Sequence, residues 1–325
     1  MSSSILMFIY EILEVRPVAA GDVRKRVVEY GASIRDKAIE TLPHEYSLVV
    51  EQIRSISRTY RNDLNTLILN LANIKNLDLF VIYVTLLAVT NRYKALSFDE
   101  LAKLARSFQM EVDIFSASRL KRALVGAGLS KELTDAVISD LIKSLNTIRN
   151  KYKSLHIWIV RQKRISIFEN KVRSLVFRGQ GGGGVGRGVK LFLRLFIHET
   201  NAPLAPRIAY TQEVKKYILH GDIYTAYVTL RSGAFEDINS LTSERVKARV
   251  AKRLLCGARG ERCRDVVLRL ESVRGLVRHV GKISGDPVLY ERGAHDIGVK
   301  YCRDLRCEIC PIRDVCRKYL FIKIK

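Results

Sequence analysis

Apolar residues recur at helical spacing through most of the first half of the chain. Ser97 and Glu100 form a capping-box pattern directly before an apolar stripe at 101–108. Ser130 precedes a second stripe, in which the apolar residues between 133 and 145 fall on one helix face. Because no segment alternates with the period of a strand over a useful length, this pattern predicts an all-α fold.

Other segments also have helical spacing of apolar residues, and in one of them the spacing is ambiguous. Residues 47–74 show a longer helical pattern, whereas the short apolar run at 156–160 fits either a strand or the end of a helix. Farther along the chain, residues 211–220 and 243–255 also have helical spacing, and the second of these places basic and apolar residues on different sides. We therefore expect helices on both sides of the middle of the chain.

The middle of the chain is rich in glycine. Seven of the ten residues at 179–188 are glycine, in the sequence GQGGGGVGRG. Helical spacing resumes near Val189, in VKLFLRLFIHE, and is interrupted by Pro203 and Pro206. The glycine segment is either a flexible linker or a tight turn before a buried helix.

These changes of pattern divide the chain into four expected segments. They are an N-terminal helical extension (1–75), a helical lobe (76–178), a glycine hairpin with a second helical lobe (179–299), and a cysteine loop with a basic tail (300–325). The predicted architecture is therefore all-α, with two helical lobes that meet near the glycine turn and a C-terminal four-cysteine loop.

Charge points to a polyanionic partner. Lys and Arg number 56 against 33 acidic residues, which gives a formal net charge of +23. The excess is densest at 245–282, where 12 basic residues accompany 3 acidic ones. Neutralising phosphates releases counterions, so nucleic acid is the expected partner, with duplex DNA first and RNA as the alternative. An anionic membrane surface and a merely basic protein are the rival interpretations.

Membrane insertion is not expected. The longest apolar uncharged stretch, 79–91, has 13 residues, whereas a spanning helix needs roughly 20. The N-terminus lacks the basic leader and the small-residue cleavage site of a signal peptide. We expect a cytoplasmic, nucleoid-associated monomer. The five glutamines among many Arg, Lys and Glu residues are typical of proteins from hot environments.

The tail contains the densest candidate chemistry of the chain. Cys302, Cys307, Cys310 and Cys316 follow the spacing C-x4-C-x2-C-x5-C within 15 residues. Thiolate ligands suit iron–sulfur clusters and zinc. Structural zinc sites usually pair two short C-x2-4-C knuckles, and only one C-x2-C occurs here. The spacing therefore favours a [4Fe–4S] cluster, while zinc, disulfides or free thiols stay open.

The other two cysteines, Cys256 and Cys263, allow several interpretations. They could belong to a second, incomplete metal site or form the disulfide of a heat-adapted protein. The preferred interpretation is two ordinary thiols, since free cysteine commonly behaves as a small buried hydrophobe.

Three short motifs resemble those of the helix–hairpin–helix DNA glycosylase superfamily. The tail RCEICPIRDVC resembles the iron–sulfur loop of endonuclease III and of the adenine-mismatch glycosylases, with a first gap two residues shorter. Gly184-Val185-Gly186-Arg187 resembles the family's G-V-G-R/K hairpin, and Asp286-Pro287-Val288-Leu289-Tyr290 resembles the helix that leads into the cluster. As an order of elements, the resemblance covers roughly residues 75 to 320.

The resemblance implies a DNA-binding iron–sulfur protein of base-excision repair. Such a protein would flip a damaged or mispaired base into a pocket between its lobes and cleave the N-glycosidic bond, with or without AP lyase activity. The hairpin would bind phosphate through outward-facing backbone amides at a helix N-terminus, supplemented by cationic side chains. The nucleic-acid-binding residues expected on this basis are Gly184, Gly186, Arg187, Lys190 and Arg194.

The chain departs from the family at the catalytic positions. Laid on this sequence without gaps, the family's hairpin lysine falls on Gly188 and its aspartate on Pro206. Lys190 is the candidate amine for Schiff-base chemistry. The nearest acids, which we expect to be solvated surface carboxylates, are Glu199, Glu213 and Asp222. The histidines for which we expect structural roles are His198, His220 and His295.

Three functions follow from these observations. The first is an active DNA N-glycosylase. The second is a non-catalytic DNA- or RNA-binding iron–sulfur protein, which Pro206 favours. The third is a zinc-stabilised RNA-processing or tRNA-binding protein.

Overall fold

A computed structural model describes residues 18–40, 44–74, 77–93, 117–126, 129–152, 154–177, 185–197, 204–209 and 221–325. The chain divides into two compact units, one formed by 1–35 together with 217–325 and the other by 36–216. The first unit is thus discontinuous and contains both ends of the chain. The four segments expected from the sequence divide the chain by composition and motif, and they stay a prediction.

The described residues are mostly helical, which confirms the all-α expectation at this coarse level. Two short strands are the exception. In chain order the elements are α1 Ala20–Glu40, α2 His44–Thr59, α3 Leu64–Ala72, α4 Leu77–Tyr93, α5 Ala117–Gly126, α6 Lys131–Lys151, α7 Leu155–Val160, α8 Ile165–Leu175, α9 Val185–Ile197, α10 Pro206–Ala209, α11 Ile223–Arg231, α12 Leu241–Ala258, β1 Val266–Leu268, α13 Leu270–Ile283, α14 Pro287–Ile297, a π-helical turn Gly298–Cys302, and β2 Ile322–Ile324.

A close helix crossing holds the discontinuous unit together. A Cβ atom built at Gly31 of α1 would lie 2.1 Å from the carbonyl oxygen of Leu289, and one at Gly293 of α14 would lie 2.2 Å from that of Val27. Both distances are far shorter than van der Waals contact, so the two helices approach each other backbone to backbone. Glycine at both positions therefore allows the N-terminal helix to pack against the helix that precedes the cysteines.

Gly293→Ala is expected to lower the free energy of unfolding by about 2 kcal/mol, because the added methyl group forces α1 and α14 apart. Gly275→Ala is the matched control, since Gly275 is helical, exposed, and has nothing within 4 Å of a built Cβ. That control is expected to be neutral or slightly stabilising. Equal unfolding free energies for the two variants in denaturant titrations would disprove the close crossing.

The end of the chain is fixed by a short parallel ladder. β2 pairs with β1 in the register Val266↔Ile322, Val267↔Lys323 and Leu268↔Ile324. Ile322 and Ile324 are buried in the same hydrophobic core as residues of α11 and α13. The segment after the last cysteine therefore returns to the core, which anchors the cysteine loop at its far end.

The unit formed by 36–216 has an aromatic core. Trp158 of α7 contacts Phe168 of α8 and Phe192 of α9, with ring centroids 5.7 and 6.1 Å apart. Phe192 and Phe196 lie edge to face at 4.9 Å. A buried ion pair between Arg92 and Asp140 links α4 to α6. Aromatic burial of this extent is a large part of what stabilises such a unit.

Most helix expectations that fall on described residues are confirmed. Ser130 caps α6, since its hydroxyl accepts a hydrogen bond from the Leu133 amide. The run at 156–160 is helical, as part of α7. The single long helix expected at 47–74 is wrong in one respect: α2 ends at Thr59 and α3 begins after Asp63. Asp63 accepts hydrogen bonds from two amides of α3, so it starts a new helix.

Two expectations lie outside the described residues. They are the capping box of Ser97 and Glu100, and the helix at 211–220. Of the described helices, none is both long enough and apolar enough to cross a membrane.

Candidate metal centre

The helix that leads to the cysteines is fixed by its own cap and by burial on all sides. The Asp286 carboxylate accepts a hydrogen bond of 2.9 Å from the Leu289 amide, and Pro287 occupies the first turn. Every residue of α14 is buried. A helix that is enclosed on all faces is held in one position, and it is the element that delivers the first cysteine.

A π-helical turn extends α14 directly to Cys302. At Gly298, where this turn begins, a built Cβ would lie 2.5 Å from the carbonyl oxygen of Tyr224. The turn therefore passes against the backbone of α11 with no room for a side chain. π-helical turns are frequent at functional sites, and here the turn sets the position of Cys302 relative to α11.

The other cysteines lie on a chain of tight turns. The Cys307 amide donates to the carbonyl of Leu305, and the Cys310 amide donates to that of Cys307. Leu305 and Lys318 both have positive φ, 56° and 55°. Such a conformation is uncommon for residues other than glycine and marks a backbone held by its surroundings. The chain therefore doubles back repeatedly between Cys302 and Cys316.

These turns bring all four cysteines to the wall of one pocket. The space that these side chains line measures about 320 Å³, a volume that includes open solvent. All four sulfurs are free thiols, whereas the other two cysteines of the chain are bonded to each other. The residues that line the pocket are Arg231, Tyr301, Cys302, Cys307, Cys310, Arg313, Cys316, Lys318 and Leu320.

The thiols influence one another electrostatically. Burial raises the pKa of Cys302 well above its ordinary value, and the charges of Cys310 and Cys316 raise it further. Burial raises the pKa of Cys316 to about 11, and burial is also the main cause of the raised pKa of Cys310. A positive charge close to these three buried sulfurs would favour their thiolate forms, and a bound metal would supply such a charge.

Arg231 is the buried cation beneath this pocket. Its guanidinium donates to the carbonyl of Cys302 and, over 3.1 Å, to that of Ile322, and it stacks 4.1 Å above the ring of Tyr227. Burial lowers the pKa of Arg231, while the charges of Cys302 and Cys307 oppose that shift. The side chain thus ties together α11, the π-helical turn and β2, and it brings positive charge close to the sulfurs.

Backbone contacts hold the last cysteine. The Lys318 amide donates to Sγ of Cys316 at 3.4 Å, and the Tyr319 amide donates to the carbonyl of Arg231 at 2.9 Å. The Tyr319 hydroxyl donates to Glu236 at 2.6 Å, and Arg317 contacts the same carboxylate. Amide-to-sulfur hydrogen bonds stabilise a thiolate and are one of the means by which a protein tunes a cluster.

The four cysteines share a pocket but do not form a recognisable single-ion site. All four cysteines line one pocket, yet no three His, Cys, Asp or Glu side chains of the described residues are arranged to hold a metal ion. Around one zinc ion, Zn–S bonds of about 2.3 Å place the sulfurs of a tetrahedron about 3.8 Å apart. In a four-iron cluster each thiolate binds a different iron, so the sulfurs are spread more widely. Both groups take thiolate ligands, so the pocket is a candidate site for either.

Cys256 and Cys263 form a disulfide with a Cα–Cα distance of 6.0 Å. The preferred expectation of two ordinary thiols is therefore wrong, and these cysteines are not a second metal site. The bond closes a short loop at the end of α12, before β1 begins. Intracellular disulfides are common chiefly in hyperthermophiles. A disulfide was one of the interpretations left open for these two cysteines, and the heat adaptation attached to it stays a prediction.

The residues predicted to bind phosphate fall at the start of α9. Gly186 lies in the first turn of this helix, while Gly184 and the side chain of Arg187 lie outside the described part of the chain. Lys190 and Arg194 are only 4% and 3% exposed. Such burial is unexpected for cations that contact a polyanion. The phosphate-binding role expected of the start of α9 stays a prediction.

Gly188 also lies inside α9, where the resemblance would require a lysine. A built Cβ at this position would lie 2.5 Å from the ring of Phe177 and 2.8 Å from the carbonyl oxygen of Ala88. The position is thus closed to any larger side chain. Pro206, at the position of the family's aspartate in an ungapped comparison, begins the short helix α10 and is buried.

Asp222 is buried, so the expectation that it is a solvated surface carboxylate is wrong. It is 4% exposed, one carboxylate oxygen accepts from the Thr225 amide at 2.8 Å, and the other lies 2.6 Å from Nδ1 of His295. Asp222 therefore caps α11 and pairs with a buried histidine of α14. The remaining acids and histidines singled out from the sequence, Glu199, Glu213, His198 and His220, lie outside the described residues.

No protein-family model matches the chain, and no curated protein or solved structure is significantly similar to it. Chemically, the described residues offer four free thiols around one pocket, a buried guanidinium beside them, and a buried carboxylate–imidazole pair on the helices that support the pocket.

Proposed function

We propose that this protein is a DNA-binding iron–sulfur protein of base-excision repair, in which Cys302, Cys307, Cys310 and Cys316 hold a [4Fe–4S] cluster. The observation that carries the proposal is the convergence of all four free thiols on one pocket. The donor set fits the group: four soft sulfur ligands, an amide hydrogen bond to one sulfur, and the guanidinium of Arg231 nearby. A bound cluster would supply charge and rigidity to the loop and, if redox-active, an electron-transfer site.

Cations at the surface of the cysteine loop support binding to DNA. Arg313 and Lys318 line the mouth of the pocket and are exposed. Arg303 and Arg306 are also exposed, and both contact Asp304, which neutralises part of their charge. A loop held rigid at its centre loses little conformational entropy when its cations bind phosphates. A protein that binds DNA in this way would be associated with the nucleoid.

Catalysis of base excision would need a carboxylate to stabilise the developing sugar cation. Asp222 is the candidate among the acids named from the sequence, because its capping bond and its contact with His295 hold it in a fixed orientation. N-terminal capping is a structural role in its own right. The second candidate function is therefore a non-catalytic nucleic-acid-binding protein, which is favoured by the buried Pro206 at the position expected for the family's aspartate.

The proposed function is tested by assaying binding and excision together. The full-length protein is incubated with duplexes that contain uracil, oxidised guanine or mispaired adenine, and the products are analysed beside a gel shift. Binding to duplex with loss of a base from at least one substrate is the result expected of a glycosylase. Binding without base loss on every duplex would assign the non-catalytic function, and failure to bind duplex DNA would contradict both.

A further inference from the structure

A second set of exposed cations lies on α12 and on the segment that follows it. Its exposed members are Arg245, Arg249 and Lys252 on the helix and Arg259, Arg262 and Arg264 after it; this set is called the basic face below. The helical members are spaced by four and three residues, and Val246 and Val250 on the other side of α12 are buried in the core. The helix therefore presents its cations on the side that faces solvent.

The charge of the basic face is not neutralised within the described residues. None of its six members forms an ion pair with any acidic side chain that the structure describes. Two exposed acids, Glu261 and Asp265, lie in the same segment, so the face retains a net charge of four positive. Unpaired like charges on one surface repel one another, and a polyanion would relieve that repulsion.

The disulfide holds the non-helical half of this surface in place. Cys256 and Cys263 close the loop that contains Arg259 and Arg262. Inside it, the Glu261 amide donates to the carbonyl of Cys256 at 3.2 Å, and Gly260 takes a positive φ of 70°. A loop of this kind is ordered before a ligand arrives, so little of the binding free energy is lost in ordering it.

The spacing of the cations suits a phosphate backbone. With a rise of about 1.5 Å per residue, Arg245, Arg249 and Lys252 are spaced roughly 5 to 6 Å apart along α12. A regular row of charges matches a polymer with regularly repeated phosphates better than it matches a single small anion. Side chains of Arg and Lys that contact only phosphates bind every sequence alike.

We propose that the basic face is a sequence-independent binding surface for the backbone of duplex DNA, which adds to the affinity of the protein without touching bases. The inference deepens the proposed function and rests on its DNA-binding part, but it does not depend on the cluster. It assigns a role to the most basic long stretch of the chain and to the disulfide that borders it.

The experiment compares affinities for an undamaged 20-bp duplex across a series of salt concentrations, using the full chain. Arg249→Ala/Lys252→Ala/Arg262→Ala is expected to bind about tenfold or more weakly, and the slope of log K against log salt is expected to fall by about 2.7. The matched control, Lys131→Ala/Lys143→Ala/Lys163→Ala, removes three exposed lysines from the other unit and is expected to leave both quantities closer to those of the wild type.

A second variant tests the loop alone. Cys256→Ser/Cys263→Ser is expected to weaken binding about two- to tenfold, because the loop must then be ordered on binding. Wild-type affinity in this variant would overturn the role of the disulfide-closed loop. An unchanged salt slope in the triple variant, or an equal loss in the lysine control, would overturn the whole inference.

Two further outcomes separate this inference from the proposed function. If the wild type binds duplex DNA but the triple variant binds it equally well, the basic face is excluded while the proposed function stands. The wild type could instead fail to bind duplex DNA and bind vesicles of phosphatidylglycerol through the basic face. That result would identify a membrane-binding surface and would contradict both proposals. Iron content, measured on each sample, shows whether the cluster site was intact.

Discussion

Cys310→Ser is expected to abolish assembly of the cluster and to lower the melting temperature by roughly 6 °C or more. Cys310 is 8% exposed as a residue, and it belongs to the hydrophobic core that also contains Ile312 and Tyr319. Loss of a bound metal group removes its binding free energy from the folded state, a loss of about 4 kcal/mol or more. For a protein of this size that loss corresponds to the expected fall in melting temperature.

The matched control is Cys256→Ser/Cys263→Ser, which removes two sulfurs that belong to the disulfide and not to the pocket. It is expected to retain full iron, although loss of the disulfide lowers its stability as well. Iron content, visible absorption and thermal unfolding are measured side by side for both variants. Wild-type iron and an unchanged melting temperature in Cys310→Ser would show that this cysteine is not a ligand.

Asp222→Asn is expected to reduce base excision by about a hundred- to a thousandfold, if the wild type is active, while duplex binding is retained. The asparagine side chain still accepts the hydrogen bond from the Thr225 amide, because asparagine caps helices about as well as aspartate. The amide nitrogen can donate to a neutral His295. The negative charge, which a sugar cation would need nearby, is the property that is lost. Single-turnover excision on the most reactive duplex is the measurement.

A control distinguishes a catalytic from a structural role. Asp286→Asn alters another aspartate that caps a helix, α14, through the Leu289 amide. It is expected to leave excision unchanged. Equal losses of activity in both variants, with parallel losses of melting temperature, would mean that Asp222 acts through the fold. Full activity in Asp222→Asn would assign the chemistry to a different acid.

Sequence periodicity predicted the helices well where the signal was local. The cap at Ser130 and the two faces of α12 follow from residues three or four positions apart, and the structure confirms both. The break at Asp63 is also local, but the apolar spacing continues on both sides of it and hides the capping signal. In the tail, FIKIK alternates apolar and basic residues, which is the period of the strand that the structure contains.

Features that depend on contacts between distant residues could not be predicted. Asp222 and His295 are 73 residues apart, and nothing near Asp222 in the sequence indicates that it is buried. The close crossing of Gly31 and Gly293 depends equally on packing between the two ends of the chain. By contrast, the four cysteines were identifiable because the loop that contains them is short enough for spacing alone to suggest a shared site.

The central claim is that the four thiols of this pocket hold an iron–sulfur cluster. The most direct test is chemical analysis of iron and acid-labile sulfide in protein that has been prepared anaerobically. The account predicts about four of each per chain, together with a brown colour and absorption near about 400 nm. One zinc per chain, or neither iron nor sulfide in folded protein, would contradict it.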